Sequence, residues 1–331
     1  MAPLNPVLRR ELKERMRSRV TGFVLTLYLG VLALVLYGLY SNAQHQQFGG
    51  IDPLATANVG RGMFESLLFA VLLLVCFLVP GYTAGAVVGE RERETLIPMQ
   101  VTLLSPRSII FGKLLASLAY LSLLVVATIP LLAASFLFGG VTPTEMLKGI
   151  GMVMATGVLL ASLSLLVSTM SRRVQTATVL AYGLTVMLVL GTFAIYGFEV
   201  IVSNHQGVHN KAILAINPLV ATADAVAARS GGDLSPSSPL TSMRNLLRGN
   251  NNFQTFSNSA GAVAVPGGGI VVRGGPISIN GGNGFNPLVA QSPPSLPPYA
   301  AYALGFFALV SAVALGLAMR RITTPRRTTR T

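Results

Sequence analysis

Residues 64–88 read FESLLFAVLLLVCFLVPGYTAGAVV, a run in which every position after Glu65 is uncharged. A helix needs about 20 predominantly apolar residues to cross the hydrocarbon core of a bilayer. Similar runs recur along the chain and predict six spans, at Gly22–Tyr40, Phe64–Val88, Leu114–Phe138, Gly149–Met170, Ala177–Val202 and Tyr299–Met319. The sequence therefore predicts an all-α integral membrane protein with six transmembrane helices.

The composition of the whole chain agrees with this class. Of the 331 residues, 52% are hydrophobic and 11% are charged, whereas soluble globular domains carry about 25% charged residues. A net charge of +13 would suggest nucleic acid in a soluble protein. Here the cations flank the apolar runs and are interpreted as topology signals, so no nucleic-acid partner is expected.

The distribution of Lys and Arg predicts the orientation. Seventeen of the 24 lie before the first run, between the second and third, between the fourth and fifth, or after the sixth. Because Lys and Arg concentrate in cytoplasmic segments, both termini are predicted to be cytoplasmic. The predicted organisation is a cytoplasmic segment 1–21, spans one to five within 22–202, an extracytoplasmic loop 203–298, the last span at 299–319 and a basic cytoplasmic tail 320–331.

The segment before the first span is predicted to be an amphipathic helix at the membrane interface. Asn5 can cap it, Pro6 suits its first position, and apolar residues recur every fourth position at Leu8, Leu12, Met16 and Val20. This stripe can enter the acyl boundary while the basic residues reach lipid phosphates. The alternative is a basic flank that only sets the topology.

Three glycines recur at four-residue spacing near the end of the second span, at Gly81, Gly85 and Gly89, just after Pro80. Small residues on one face let another helix approach closely, so they predict a helix-packing seam. A gating hinge next to the proline is the alternative interpretation.

The segment between the second and third spans is the most informative part of the chain. Acidic and basic residues alternate from Glu90 to Glu94, which is too dense a pattern to leave unpaired at a membrane surface. Helical spacing of Leu96, Met99, Gln100, Leu103 and Leu104 follows, with Pro98 restricted to a first turn. Ser105 and Pro106 are predicted to be the cap and first residue of the third span's helix.

These features resemble the membrane subunits of type 2 ATP-binding cassette (ABC) exporters. The match covers Asn5 and Pro6, the runs 90–96 and 104–113, and the turn 171–173 leading to Ala177; Pro98 and Gln100 depart from the usual coupling sequence. The resemblance implies that the helix Thr95–Leu104 docks on a separate ATPase subunit and that the acidic residues before it transmit its movement. The residues so implicated are Glu90, Arg91, Glu92, Arg93, Glu94, Thr95, Leu96, Leu103, Leu104, Ser105 and Pro106.

A permease of this kind must obtain ATP hydrolysis from a partner. Gly112 and Lys113 do not complete a phosphate-binding loop, because position 107 is Arg and position 114 is Leu. Glu65 and Glu199 both fall at the ends of predicted spans, which leaves no intramembrane carboxylate for a proton relay or an enzyme. Cys76 is the single cysteine, and His205 and His209 have no Asp or Cys near them in sequence, so neither a metal nor a cofactor is expected.

The long loop combines one structured and one low-complexity part. A short helix is predicted around Lys211–Arg229, and the resemblance suggests that it caps the translocation path. From residue 230 the composition changes to Gly, Asn, Ser and Pro, which predicts disorder or loose hairpins near Val263–Ile279. The pentapeptide NPLVA occurs at Asn217 and again at Asn286. A partner-binding role and a tolerated insertion both remain open.

The function hypothesis is a permease subunit, paired with itself or a similar permease in the lipid bilayer and coupled to ATPase subunits. A plasma membrane, the prokaryotic inner membrane, is the expected location. The alternatives are a non-transporting anchor or assembly factor acting through the loop and, with less support, a membrane enzyme. The apolar spans suit a lipid-like cargo, but any lipid-facing helix shows the same surface, so the substrate stays open.

Overall fold

The computed structural model describes residues 19–46, 53–93, 106–202, 211–226, 238–248, 264–265, 269–270 and 299–323. Several predicted features lie outside these residues: most of the amino-terminal amphipathic helix, Glu94, Ser105 and the docking helix Thr95–Leu104.

Within the described residues, six helical stretches are long and apolar enough to cross a membrane, which confirms the six predicted spans. Span 1 is helix α1, Arg19–Gln46, and span 2 comprises α2, Pro53–Thr83, and α3, Gly85–Glu92. Span 3 is α4, Pro106–Ala133, with a 3₁₀ turn at Ala134–Phe138, and span 4 is α5, Pro143–Met170. Span 5 comprises α6, Val174–Val186, a π-helical segment, Met187–Gly191, and α7, Thr192–Val202; span 6 is α11, Tyr299–Thr323.

Span 4 forms the centre of the bundle and packs against spans 2, 3, 5 and 6. Its small residues allow this close approach: a Cβ added at Gly157 would overlap the side chain of Leu121 in span 3. Close packing matters here because lipid provides no hydrophobic driving force between helices. Spans 1 and 5 lie at the periphery and bury few of their large apolar side chains.

Two spans depart from regular α-helix. Span 2 contains Pro80, which has no backbone N–H and clashes with the preceding turn, and the helix is interrupted at Ala84 four residues later. Span 5 changes to π-helix over Met187–Gly191, which separates it into the two halves α6 and α7. Both interruptions fall where other parts of the chain make hydrogen bonds to the helix.

In the described part of the long loop, three short helices pack on the bundle end that contains Glu65, here called the Glu65 end. They are α8, Lys211–Ala215, α9, Pro218–Ala225, and α10, Pro239–Arg248. The sequence predicted one helix around Lys211–Arg229, but Pro218 divides it because proline is disfavoured beyond a first turn. Helix α10 was not predicted, since the surrounding Gly- and Asn-rich composition outweighed a ten-residue amphipathic pattern.

One short strand pairing lies in the stretch where loose hairpins were predicted. Ala264–Val265 pairs antiparallel with Gly269–Ile270. The connection between the two strands is three residues long, as in a hairpin.

Candidate functional site

The short helix α3 is held at its beginning by a serine from span 4. Ser168 Oγ accepts hydrogen bonds from the backbone N–H groups of Val87 and Val88, both at 3.1 Å. The first four N–H groups of any helix lack partners within that helix. Ser168 therefore supplies, from another span, the cap that the break at Ala84 would otherwise leave missing.

Glu90 joins the end of span 2 to span 3. Its Oε1 lies 2.8 Å from Nζ of Lys113, whose side chain is only 1% exposed. A buried ammonium needs a charged or polar partner, because removal from water is costly. The ion pair with Lys113 therefore holds the Glu90 carboxylate in place. The bundle end that contains Glu90 is here called the Glu90 end.

Arg91 joins the same helix to the end of span 4. Its guanidinium donates to the carbonyl oxygens of Ser171, at 2.8 Å, and Thr169, at 3.3 Å. Helix α5 ends at Met170, and the last carbonyls of a helix carry partial negative charge and lack internal partners. A cationic side chain such as that of Arg91 therefore suits the carboxyl end of α5.

Glu92 joins α3 to the beginning of span 5. Its Oε1 accepts a hydrogen bond from the backbone N–H of Val174, the first residue of α6, at 2.8 Å. Arg173, which precedes that helix, makes no capping bond with its own side chain. A carboxylate also suits the positive end of the helix dipole, so Glu92 caps span 5 from span 2.

The predicted glycine positions all face span 5. A Cβ at Gly81 would overlap the Tyr182 hydroxyl, while added Cβ atoms at Gly85 and Gly89 would lie 3.7 and 3.8 Å from Val174, in ordinary contact. The Tyr182 hydroxyl donates to the Phe77 carbonyl oxygen at 2.9 Å, one turn before Pro80 and the bend it introduces. Their role in helix packing remains a prediction, with Gly81 in the tightest place.

The structure thus brings three predicted residues together with partners that the sequence did not identify. Glu90, Arg91 and Glu92 contact spans 3, 4 and 5 respectively, while the side chain of Arg93 is exposed. Pro106 begins the helix of span 3 as predicted. Ser168 was missed because nothing in its local sequence distinguishes it from the other serines of span 4.

A second polar cluster lies at the Glu65 end and was also missed. Helix α2 begins at Pro53, so Glu65 lies more than three turns into the helix, and it is 2% exposed. The predicted position of Glu65 at a span end is wrong, because the helix begins well before the apolar run. Its Oε1 pairs with Arg61 at 3.1 Å, and Arg61 also contacts Glu145 of span 4 at 3.5 Å.

The loop helices are anchored to this cluster. The Ser238 and Thr241 hydroxyls both donate to Glu65 Oε2, the second at 2.7 Å. Arg61 donates to the Val226 carbonyl oxygen at 3.1 Å, just after α9. A carboxylate that accepts several hydrogen bonds in a buried site holds its partners firmly, so Glu65 and Arg61 fix α9 and α10 on span 2.

The fold defines a multi-pass integral membrane protein in which polar contacts join span 2 to spans 3, 4 and 5 at the Glu90 end and attach loop helices to span 2 at the Glu65 end. The family model described as ABC-2 family transporter protein matches residues 5–319, so the chain belongs to the ABC-2 transporter family. No curated protein gave a match to the chain. Its family consists of permease components of ABC transporters, membrane subunits that are not themselves catalytic and normally work with an ATP-binding cassette subunit.

Proposed function

We propose that this permease forms the translocation path of an ABC exporter and is driven by a separate ATPase subunit that contacts the Glu90 end. The complex would contain two permeases, either two copies of this chain or this chain and a similar one. The cytoplasmic loop 89–105 would receive the movement of the ATPase. Its helix Thr95–Leu104 would dock on the ATPase, and the charged residues before that helix would transmit the displacement.

One observation carries this proposal: three consecutive charged residues at the end of span 2 contact three different spans. Glu90 pairs with span 3, Arg91 with the end of span 4 and Glu92 with the beginning of span 5. A force applied to α3 therefore reaches most of the bundle through short polar contacts. Packed helices connected in this way move as bodies rather than deform locally, as alternating access requires.

The charge distribution supports a cytoplasmic position for the Glu90 end. The exposed basic residues Arg172, Arg173, Arg320 and Arg321 belong to segments on that side of the bundle, and Lys and Arg concentrate in cytoplasmic segments. A prokaryotic plasma membrane is the proposed location. Labelling with a membrane-impermeant maleimide tests this orientation. A cysteine is introduced at exposed Gln175, at the Glu90 end, or at exposed Lys148, at the opposite end. The native Cys76 is buried and should not react.

The function is tested by purifying the tagged chain in mild detergent, identifying its partners by mass spectrometry and measuring ATP hydrolysis by the eluate. The expected result is a stoichiometric ATPase subunit whose hydrolysis changes when Glu92 is replaced by Arg, with the complex still assembled. Lys148→Glu is the matched control, because it reverses an exposed charge at the opposite end of the bundle. Its hydrolysis should equal that of the unmodified complex.

Recovery of the chain without any ATPase would overturn the permease proposal. If partners bound only through residues 230–298 were recovered instead, the anchor or assembly-factor function would replace it. Unchanged hydrolysis in Glu92→Arg within an intact complex would leave the permease function in place but remove Glu92 from the coupling segment.

A further inference from the structure

Asn217 is the first residue of the NPLVA pentapeptide and is completely buried between two loop helices and span 5. Its Oδ1 accepts a hydrogen bond from the Leu219 backbone N–H at 2.9 Å and so caps α9. Its Nδ2 donates to the Val189 carbonyl oxygen at 2.8 Å and to the Thr192 hydroxyl at 2.7 Å. One amide side chain therefore binds the loop helix and the span together.

Both bonds from Nδ2 of Asn217 reach span 5 at its π-helical segment. Val189 lies in the π-helical segment, and Thr192 is the first residue after it. A π-helical turn replaces i to i+4 bonds by i to i+5 bonds, which alters the pairing of its carbonyl groups. The Val189 carbonyl accepts one hydrogen bond from the Thr192 hydroxyl of its own span, at 3.1 Å, and a second one from the Asn217 amide outside the span.

The two halves of span 5 are attached to different parts of the molecule. At the Glu90 end, α6 is capped by Glu92, and its residues Ala177 and Ala181 pack on Ala84 and Val88 of span 2. Beyond the π-helical segment, Asn217 attaches the span to α9. Helix α9 in turn contacts span 6, because Asp224 accepts a hydrogen bond from the Ala300 backbone N–H at 2.9 Å.

We propose that Asn217 is a positioning residue for transport, which carries displacement of span 5 to the loop helices that close the Glu65 end. This inference rests on the proposed function. When α6 follows α3, the π-helical segment moves with it, and the two bonds from Asn217 make α9 move as well. Since α9 also holds the beginning of span 6, the Asn217 side chain gives a displacement that starts at Glu92 a direct route to the opposite end of the bundle.

The chemistry requires an amide at this position. Asn217→Asp keeps the Oδ1 acceptor that caps α9 but replaces both N–H donors by a carboxylate oxygen, which faces the Val189 carbonyl. Thr192→Val is the milder variant, because valine has the shape of threonine without the hydroxyl. The second pentapeptide offers a control with the same substitution in the same local sequence, Asn286→Asp.

The test is hydrogen exchange measured by mass spectrometry on the full chain in complex with its ATPase, without nucleotide and with a non-hydrolysable ATP analogue. In the unmodified complex, nucleotide should change the exchange of both the 174–186 peptides and the 211–226 peptides. In Asn217→Asp the change in 174–186 should persist and that in 211–226 should be lost. Thr192→Val should reduce the second change, and Asn286→Asp should leave both intact.

The outcomes separate the inference from the proposed function. No nucleotide response at 174–186 in the unmodified complex would overturn the coupling route through α3 and α6 and the inference with it, whereas the copurified ATPase would still support the permease function. A normal response at 211–226 in Asn217→Asp would overturn the role of Asn217 alone. If Asn217→Asp fails to assemble, Thr192→Val decides: a full response of 211–226 in that variant overturns the proposal, and a reduced response supports it.

Discussion

Oε1 of Glu92, in the last turn of span 2, lies 2.8 Å from the backbone nitrogen of Val174, where span 5 begins. The two residues are 82 positions apart in sequence, and the bond makes the end of one span the cap of another.

The first prediction concerns the acceptor at Glu92. Glu92→Ala should lower the free energy of unfolding by about 1 kcal/mol, as loss of a helix cap does. It should also reduce the change in the rate of ATP hydrolysis that occurs when the ATPase assembles with the permease. Glu92→Gln keeps an acceptor oxygen and should stay close to the unmodified protein. Melting temperature in detergent and hydrolysis by the assembled complex measure both effects, and equal behaviour of the two variants would contradict the capping role.

The second prediction concerns Glu90 and Lys113. Breaking a buried ion pair by removing one partner costs about 3–5 kcal/mol, so Glu90→Gln and Lys113→Met should each lower the melting temperature strongly. The exchanged pair, Glu90→Lys with Lys113→Glu, should recover part of the loss. A double-mutant cycle gives the coupling energy between the two positions, and a value near zero would show that the pair does not act together.

The third prediction compares two buried serines on span 4. Ser168→Ala leaves two backbone N–H groups of α3 without their acceptor, at a cost of about 1–3 kcal/mol for a buried unsatisfied group. Ser162 donates only to Leu159 in its own helix, so Ser162→Ala should be nearly neutral. Hydrogen exchange of the 85–92 peptide should increase only in Ser168→Ala. Equal effects of the two substitutions would contradict the role of Ser168 as the cap of α3.

The fourth prediction concerns the contact between Gly81 and Tyr182. Gly81→Ala should separate spans 2 and 5, because the added Cβ would overlap the tyrosine hydroxyl. The double variant with Tyr182→Phe should be more stable than Gly81→Ala alone, since the overlapping atom is gone. Gly85→Ala is the control, as its Cβ would be in ordinary contact 3.7 Å from Val174. Melting temperatures rank the stabilities of the variants. If the double variant is no more stable than Gly81→Ala, the loss of stability does not come from overlap with the Tyr182 hydroxyl.

The fifth prediction concerns Glu65 as the anchor of the loop helices. Glu65→Ala removes the acceptor shared by Ser238 and Thr241 and leaves Arg61 without its closest carboxylate. Helix α10 should then detach, and limited proteolysis should cut within 238–248 at protease concentrations that spare the unmodified chain. Ser242→Ala, on an exposed side of the same helix, is the control. Equal cleavage of both variants would argue against the anchor.

The features that the sequence predicts correctly are those set by a long repeated pattern or by the conformational limits of one residue type. The six spans follow from runs of apolar residues matched to the bilayer, and the beginning of α4 at Pro106 follows from the conformational limits of proline. The sequence is a weaker guide to Glu65 and α10, where a helix continues past its apolar run or a short amphipathic pattern lies within low-complexity sequence. The amphipathic pattern of Pro239–Arg248 nevertheless forms a helix within that composition.

By itself the sequence determined the class of the protein, the number of its spans and the charged run at Glu90–Glu94, because these depend on local chemistry and on the thickness of a membrane. Only the tertiary structure decided which spans those charges contact. The partners of Glu90, Arg91, Glu92 and Asn217 include a buried amine, helix-end carbonyls, a helix-start N–H and a π-helical carbonyl. Three of these are backbone groups, which every residue carries, so side-chain identity cannot reveal them before the helices are placed side by side.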